Sequence, residues 1–127
     1  YEAPASPFVA SFLGKTNVLP ADVRAAGEEA AVTVGGAVWR TAAGVPSGAA
    51  SVSVRPERIS FAAEGGLGGI VRRASFHGAQ WLLLVETAAG VVTVIRQNSG
   101  GPLPKEGEQV ALSWRAEDMR VTAGSGE

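Results

Sequence analysis

The sequence predicts an all-β protein that folds as a small antiparallel barrel. From Asn17 onward, short runs rich in β-branched residues recur along the chain with the two-residue spacing of strands. Glycine-containing dipeptides such as Gly35-Gly36 and Ala89-Gly90 separate these runs, as is typical of tight turns between antiparallel strands. Repeated short strands of this kind form a sandwich or a barrel, and we favour the barrel.

The first element is an exception, because residues 6–14 have helical spacing. The segment begins with a serine and a proline and ends at Gly14, and these residue types favour the start and the end of a helix. Phe8 and Phe12 lie four residues apart, so a helix here carries an apolar stripe that needs a partner surface. We therefore predict one short N-terminal helix.

Nine strands are predicted after this helix. Those of the second half are the clearest, because short glycine-containing turns join them into a meander. The segment 98–107 is rich in glycine and proline and is predicted to be a surface loop. The predicted strands cover residues 31–34, 37–41, 51–54, 58–62, 69–76, 80–86, 91–96, 109–114 and 119–122.

The predicted strand 80–86 has apolar residues on both faces. Trp81, Leu83 and Val85 share one face, while Leu82 and Leu84 share the other. A strand of this kind is covered on both sides, either within its own domain or by a partner.

The composition fits one compact domain and excludes several classes of protein. Of the 127 residues, 46% are hydrophobic and 18% are charged, so the chain has enough apolar surface for a core. Its net charge is -1 and its eleven basic residues are dispersed, so we predict no nucleic-acid partner. The absence of cysteine excludes disulfides and thiolate metal sites. No apolar run approaches the roughly 20 residues that span a bilayer.

The sequence contains no motif for catalysis, cofactor binding or metal binding. A Gly-Lys-Thr tripeptide at 14–16 matches the end of a phosphate-binding P-loop, but Val9 stands where the first glycine of that loop belongs. His77 is the only histidine, which excludes metal sites that need two imidazoles. The adjacent acidic pairs 28–29 and 117–118 would point to opposite faces of a strand. We therefore predict that this chain is not an enzyme.

Several strings in the sequence resemble one family, the ATP-binding subunits of ABC importers. The stretch that joins the ATPase domain to the regulatory domain in these subunits is similar to Tyr1-Glu2-Ala3-Pro4, Phe8-Val9-Ala10, Phe12, Gly14 and Asn17. Their Arg-Pro-Glu motif is similar to Val54-Arg55-Pro56-Glu57. Their C-terminal TOBE domain, an OB-fold-like barrel, is similar to Gly69, Val71, Phe76, Gly78, Trp81 to Val85, Gly90, Val94, Gly107, Val110, Leu112-Ser113-Trp114 and Asp118.

The resemblance implies a division of the chain. Residues 1–14 are expected to be the C-terminal helix and linker of a preceding ATPase domain, and residues 15–127 an OB-fold-like TOBE domain. The only methionine is Met119, which also favours a fragment of a longer chain. The family's Walker, signature and switch motifs are absent from this sequence, so ATP and magnesium are expected only in the missing ATPase domain. The paired motif with which molybdate-sensing relatives bind an oxyanion is not found either.

The resemblance also implies a function. It predicts a regulatory and dimerisation domain that supports ATP-driven uptake of a solute, such as a polyamine, ferric iron or a sugar, without hydrolysing ATP itself. The expected partners are a second copy of the chain, the permease subunits reached through the ATPase domain, and a small-molecule effector. The expected location is cytoplasmic, peripheral on the inner face of the plasma membrane.

Five residues are candidate interface or regulatory positions: Arg55, Pro56, Glu57, Trp81 and Leu83. The Arg-Pro-Glu string and the apolar strand would present them to a twin subunit. The alternative for the string is a rigid turn with a local ion pair, and the alternative for the strand is packing in the core.

Two other functions stay open. One is a stand-alone OB-fold module for single-stranded nucleic acid, in which Trp39, Trp81 and Trp114 would stack on bases, although no basic groove accompanies them. The other is a sensor that binds a small solute or an anion between two copies of the domain.

Overall fold

The computed structural model describes residues 15–42, 44–45, 47–62, 65–98 and 103–123. Within these residues the chain forms ten strands and two short 3-10 turns, Pro56–Arg58 and Ala116–Asp118. The strands are β1 (Asn17–Ala26), β2 (Glu29–Val34), β3 (Ala37–Ala42), β4 (Gly48–Val54), β5 (Ser60–Phe61), β6 (Leu67–His77), β7 (Gln80–Thr87), β8 (Gly90–Gln97), β9 (Gln109–Ser113) and β10 (Met119–Ala123).

The strands form two antiparallel sheets of five. The order in one sheet is β10-β4-β1-β2-β3, and the order in the other is β5-β9-β6-β7-β8. The second sheet contains the predicted meander, in which β6 pairs with β7 and β7 pairs with β8. The two sheets curl around one core, which confirms the prediction of an all-β, OB-fold-like barrel.

The core lies between the inward faces of the two sheets. Side chains alternate along each strand, so every second residue points inward. Burying an aliphatic side chain completely contributes about 1.5–3 kcal/mol, so this set supplies most of the driving force for folding. The fully or almost fully buried members include Val32, Val34, Val52, Val54, Ile59, Leu67, Val71, Leu83, Val85, Val92, Val94 and Leu112.

Two polar contacts join the sheets at their edges. The side-chain amide of Asn17 on β1 accepts a hydrogen bond from the Thr93 backbone N–H and donates one to the Thr93 carbonyl, both at 2.9 Å. The Asn17 side chain thereby makes, at the free edge of β8, the two backbone hydrogen bonds that a neighbouring strand would otherwise make. On β3, the Trp39 ring stacks on Trp114 with centroids 4.1 Å apart, and its indole N–H donates to the Trp114 carbonyl at 2.9 Å. Both contacts are buried or nearly so, which strengthens them.

The structure corrects two of the strand predictions. β1 was not among the predicted strands, because Pro20, Asp22 and Arg24 interrupt its apolar pattern. These three side chains point to solvent, while Leu19, which precedes them, and Val23 are buried. Proline is tolerated because β1 pairs with β2 only from Asp22 onward, so one side of the strand is an edge at Pro20.

The predicted strand 58–62 is the second correction. The chain there forms the turn Pro56–Arg58 and then only the two-residue strand β5. Proline at the first position of the turn fixes a backbone angle that suits a helical turn and leaves no N–H for a sheet. The predicted helix 6–14, and with it the first part of the predicted division at residue 14, lies outside the described residues.

Candidate functional site

The five candidate residues lie in two separate parts of the barrel. Arg55, Pro56 and Glu57 form the corner between β4 and β5, whereas Trp81 and Leu83 lie on β7. The corner borders one concave surface and Trp81 borders another. The structure therefore presents two candidate sites instead of one.

The corner between β4 and β5 is a rigid turn. Pro56 is buried, and the Arg58 backbone N–H donates to the Arg55 carbonyl at 3.0 Å. The next residue, Ile59, is completely buried, and its carbonyl accepts a 3.1 Å hydrogen bond from the Arg96 side chain on β8. Since the turn is anchored in this way, the exposed side chains of Arg55 and Glu57 project from a fixed support. The Arg55 and Glu57 side chains form no ion pair with each other, so the alternative of a local ion pair at this turn is wrong.

Beside this corner lies a polar cleft, which we call the arginine cleft. Its volume is about 410 Å³. Two hydroxyl side chains and three guanidinium groups line it, those of Thr16, Ser53, Arg55, Arg58 and Arg120. Three carboxylates, those of Glu57, Glu117 and Asp118, complete the lining with Met119.

The strand register explains why these residues meet. Asn17 on β1 lies opposite Val54 on β4, and Val54 lies opposite Met119 on β10. Since side chains alternate, the neighbours of this buried row face outward on all three strands. Ser53 and Arg120, which lie opposite each other, belong to these outward positions.

The second concave surface is a groove with both apolar and polar walls, which we call the Trp81 groove. Its volume is about 620 Å³, and it is lined by Ala74, Trp81, Asn98, Leu103, Pro104, Lys105 and Glu106. Trp81 is half-buried and packs against the core. Its ring lies 5.1 Å from that of Phe76, which stands opposite it on β6.

Hydrogen bonds hold the loop wall of the groove against β6. The Ala74 backbone N–H donates to Glu106 Oε2 at 3.1 Å, and the Gly107 N–H donates to the Val71 carbonyl at 2.7 Å. The Val71 N–H donates in turn to the Glu108 carbonyl at 3.0 Å. These bonds fall where β6 has a bulge after Val71, which interrupts its pairing with β7. The groove therefore has two fixed walls.

Leu83 belongs to the core and not to a surface. It is 0% exposed, and its neighbour Leu82, which points to the opposite face of β7, is 1% exposed. The chain itself thus covers both faces of this strand at its centre. Of the two candidate residues on β7, Trp81 is the half-buried one and remains accessible to another molecule.

Other features noted in the sequence have structural roles. Trp39 and Trp114 stack on each other at the junction of the sheets, where no base could reach both faces. Among the described residues, no three His, Asp or Glu side chains lie close enough to hold a metal ion. Within the same part of the chain, no helix has the length and apolar character needed to cross a membrane.

Sequence reasoning missed most of the lining residues. Arg120 and Ser53 are 67 residues apart in the sequence, and only the pairing of β10 with β4 brings them together. Phe76 carried a usable signal, because an aromatic residue one short turn before Trp81 faces it across a hairpin. Leu103 and Pro104 lie in a predicted loop, for which no pattern indicates the packing partner.

A family model and several curated proteins match this sequence. The model of the TOBE domain matches residues 52–121. The Fe(3+) ions import ATP-binding protein FbpC of Agrobacterium fabrum is 40% identical over 99 residues, which are 75% of this chain and 28% of the relative. The FbpC protein of Brucella abortus is 34% identical over 125 residues, 95% of this chain and 35% of the relative.

A protein named for a different solute matches equally well. The spermidine/putrescine import ATP-binding protein PotA of Ruegeria pomeroyi is 34% identical over 129 residues, 95% of this chain and 35% of the relative. This chain spans about a third of the length of these curated relatives. The relatives are ATP-binding subunits of importers, as the resemblance implied. The matched residues run from β4 to β10 and include the Trp81 groove and every residue of the arginine cleft except Thr16, and the chain belongs to the TOBE domain family.

Proposed function

We propose that this chain is the regulatory and dimerisation domain of the ATP-binding subunit of an ABC-type importer. Residues 15–127 form this domain, and residues 1–14 are the end of a preceding ATPase domain that binds ATP and magnesium. The domain supports uptake and does not hydrolyse ATP. Its membership of the TOBE family and the names of relatives about three times as long support this proposal.

The proposed setting follows from the same relatives. The parent subunit lies at the cytoplasmic face of the membrane and contacts permease subunits through its ATPase domain. Ferric iron and a polyamine are the candidate solutes, because they appear in the names of the relatives. The choice of solute belongs to other subunits, so both stay candidates for this chain.

The observation that carries the dimer proposal is the exposed Phe76 side chain next to the Trp81 groove. The Phe76 side chain is 47% exposed, and its ring packs against that of Trp81, which lines the Trp81 groove. A twofold axis at this edge would place Phe76 of each copy in the groove of the other. An interface of this type uses the same patch twice and must be self-complementary.

The charges at the groove are self-complementary as well. Lys105 and Glu106 are adjacent, exposed and of opposite sign on the wall of the Trp81 groove. The same twofold axis brings Lys105 of one copy towards Glu106 of the other. Such rim charges add little affinity, but they favour one orientation of the two copies. The Arg55–Glu57 corner stays a prediction as a further dimer contact, since it has no comparable apolar projection.

The experiment measures self-association of the chain by sedimentation velocity over a range of concentrations. We expect Phe76→Ser to weaken the dimer about 30-fold, which corresponds to the roughly 2 kcal/mol of an aromatic hot spot. Val91→Ser is the matched control, because Val91 is 61% exposed and lies outside the groove. We expect the control to change the dissociation constant by less than about twofold.

Two results would contradict the proposal. A chain that stays monomeric at every concentration would remove the dimerisation role. Equal weakening by Phe76→Ser and Val91→Ser would show association that does not use the Trp81 groove. The regulatory role is tested in the parent subunit, where Phe76→Ser is expected to alter ATP hydrolysis although the ATPase domain is unchanged.

A further inference from the structure

We infer that the arginine cleft binds a compact oxyanion of the phosphate type. The site is separate from the Trp81 groove, and the inference does not depend on the proposed dimer contact. It differs also from the paired motif of molybdate-sensing relatives, which this sequence lacks. The inference follows from which charges in the cleft are already paired and which are not.

The unpaired positive charges are the first step. The guanidinium groups of Arg55 and Arg120 make no hydrogen bond and no ion pair within the described part of the chain, although both line the cleft. Arg58, the third arginine of the cleft, is held only by a 3.9 Å contact to Asp118. The planar guanidinium group binds phosphate through two parallel N–H donors, which makes arginine the preferred residue for bidentate recognition of such an oxyanion.

The carboxylates of the cleft are the second step, because they would oppose an anion. Glu117 is engaged by Arg115 at 2.5 Å, so its charge is compensated from outside the cleft. Asp118 is only 20% exposed and is compensated by Arg58. Glu57 alone has no cationic partner among the described residues, and it stands opposite two unpaired arginines. The lining itself has three guanidinium groups and three carboxylates, and Arg115, which pairs with Glu117 from outside, brings the total to four positive and three negative charges.

The supporting donors are the third step. The hydroxyl groups of Thr16 and Ser53 line the same surface and supply neutral donors next to the guanidinium groups. Ser53 lies directly opposite Arg120 in the β4–β10 register, so a hydroxyl and a guanidinium group start from neighbouring backbone positions. A volume of about 410 Å³ lies at the small end of the range for ligand pockets, which suits a phosphate ion or a small phosphate ester.

The acidic rim restricts the ligand. Glu57 and Glu117 line the same cleft as the arginines, so a long polyanion such as a nucleic acid backbone would meet repelling carboxylates near the bound phosphate. A single phosphate group places its charge at the arginines and avoids the rim. The shared chemistry is thus a tetrahedral oxyanion, supplied either as free phosphate or as the terminal group of a small ester.

The test is isothermal titration of the chain with inorganic phosphate, with chloride used to keep the ionic strength constant. We expect R55Q/R120Q to weaken phosphate binding at least about tenfold, because two charge-assisted contacts are removed. The matched control is R40Q/R73Q, since Arg40 and Arg73 are also exposed and unpaired in the described residues but lie outside the cleft. The control removes the same net charge and is expected to change binding less than about twofold.

A second measurement, NMR of the unmodified chain, tests the inference even if a variant does not fold correctly. In the unmodified chain, phosphate is expected to shift the backbone amide resonances of Ser53, Arg55 and Arg120 and to leave those of Arg40 and Arg73 unchanged. A parallel titration with glycerol phosphate separates the two sources. Tighter binding assigns the site to phosphate esters, and equal or weaker binding assigns it to the free ion.

Three results would overturn the inference. They are phosphate binding that R55Q/R120Q and R40Q/R73Q weaken equally, amide shifts that occur equally with chloride, and no binding by the unmodified chain. The Phe76→Ser variant separates failure of the phosphate inference from failure of the dimer proposal, because it leaves every residue of the arginine cleft intact. Phosphate binding by a monomeric chain would uphold the cleft and reject the dimer.

Discussion

The Trp81 groove and the arginine cleft lie on the same barrel but are built in different ways. The groove is formed by one hairpin and the loop that is hydrogen-bonded to it, and the aromatic pair of Phe76 and Trp81 lies at its edge. The cleft is formed where three strands and a turn meet, and its lining is almost entirely charged or hydroxylated. Apolar recesses suit a second protein surface, while convergent guanidinium groups suit an anion. One small domain thus has room for assembly on one side and for ligand binding on another.

The first prediction separates the groove from the core behind it, and it has the largest expected effect. Leu83→Ala removes a fully buried side chain two residues from Trp81 on β7. We expect the free energy of unfolding to fall by about 2–5 kcal/mol, because the change leaves a cavity in a close-packed core. Urea denaturation followed by tryptophan fluorescence measures this loss.

The same variant tests whether Leu83 is a contact residue. At temperatures where Leu83→Ala is still folded, we expect its self-association to match that of the unmodified chain. Weaker association of the folded variant would show that the groove extends through the strand and would contradict the division drawn here. A Leu82→Ala variant is the control, because Leu82 is equally buried on the opposite face.

The second prediction disturbs the cleft and spares the groove. Asn17→Ala removes two 2.9 Å hydrogen bonds to the Thr93 backbone and leaves a buried N–H and a buried carbonyl without a partner. We expect a loss of about 2 kcal/mol in the free energy of unfolding. Hydrogen exchange should accelerate in β1 and β8 and change little at the β6–β7 hairpin.

Exchange that accelerates equally in all strands would contradict this local effect. Asn17→Asp is the informative companion variant, because it keeps an acceptor for the Thr93 N–H and loses the donor to the Thr93 carbonyl. We expect its stability to lie between those of the unmodified chain and Asn17→Ala.

The third prediction concerns the ion pair between Arg58 and Asp118 in the arginine cleft. The Arg58 side chain is 61% exposed and lies 3.9 Å from Asp118, so solvent screens most of this attraction. We expect Arg58→Gln to change the free energy of unfolding by less than about 0.5 kcal/mol. Phosphate affinity should fall by about threefold, less than in R55Q/R120Q, because Arg58 must leave Asp118 to bind. A stability loss as large as that of Asn17→Ala would show that the pair is structural.

The sequence was sufficient for the features that depend on local patterns. The alternation of residues in 80–86, with glycine-bearing turns on either side, predicted β7 and its two covered faces. The rigid turn was one of the alternatives for the Arg55-Pro56-Glu57 string, because proline limits the backbone wherever it occurs. Each of these features needs only neighbouring residues.

The sequence alone did not predict the features that depend on pairing between strands that are far apart in the chain. Arg120 reaches the cleft only because β10 pairs with β4, and a shift of one residue in that register would turn it to the core. β1 was not predicted because Pro20, Asp22 and Arg24 point outward and give this strand a composition that is typical of a loop. Both outcomes are set by tertiary pairing, which no single stretch of sequence records.

The most direct test of the dimer proposal uses the absence of cysteine from this chain. A Phe76→Cys variant is mixed with a separate Leu103→Cys variant and oxidised gently, so any bond between the two positions must join two chains. The account predicts disulfide-linked heterodimers between these two variants, and none when Val91→Cys replaces Phe76→Cys. Equal cross-linking from Val91 and Phe76, or no Phe76–Leu103 product, would contradict the claim that each copy places Phe76 in the Trp81 groove of the other.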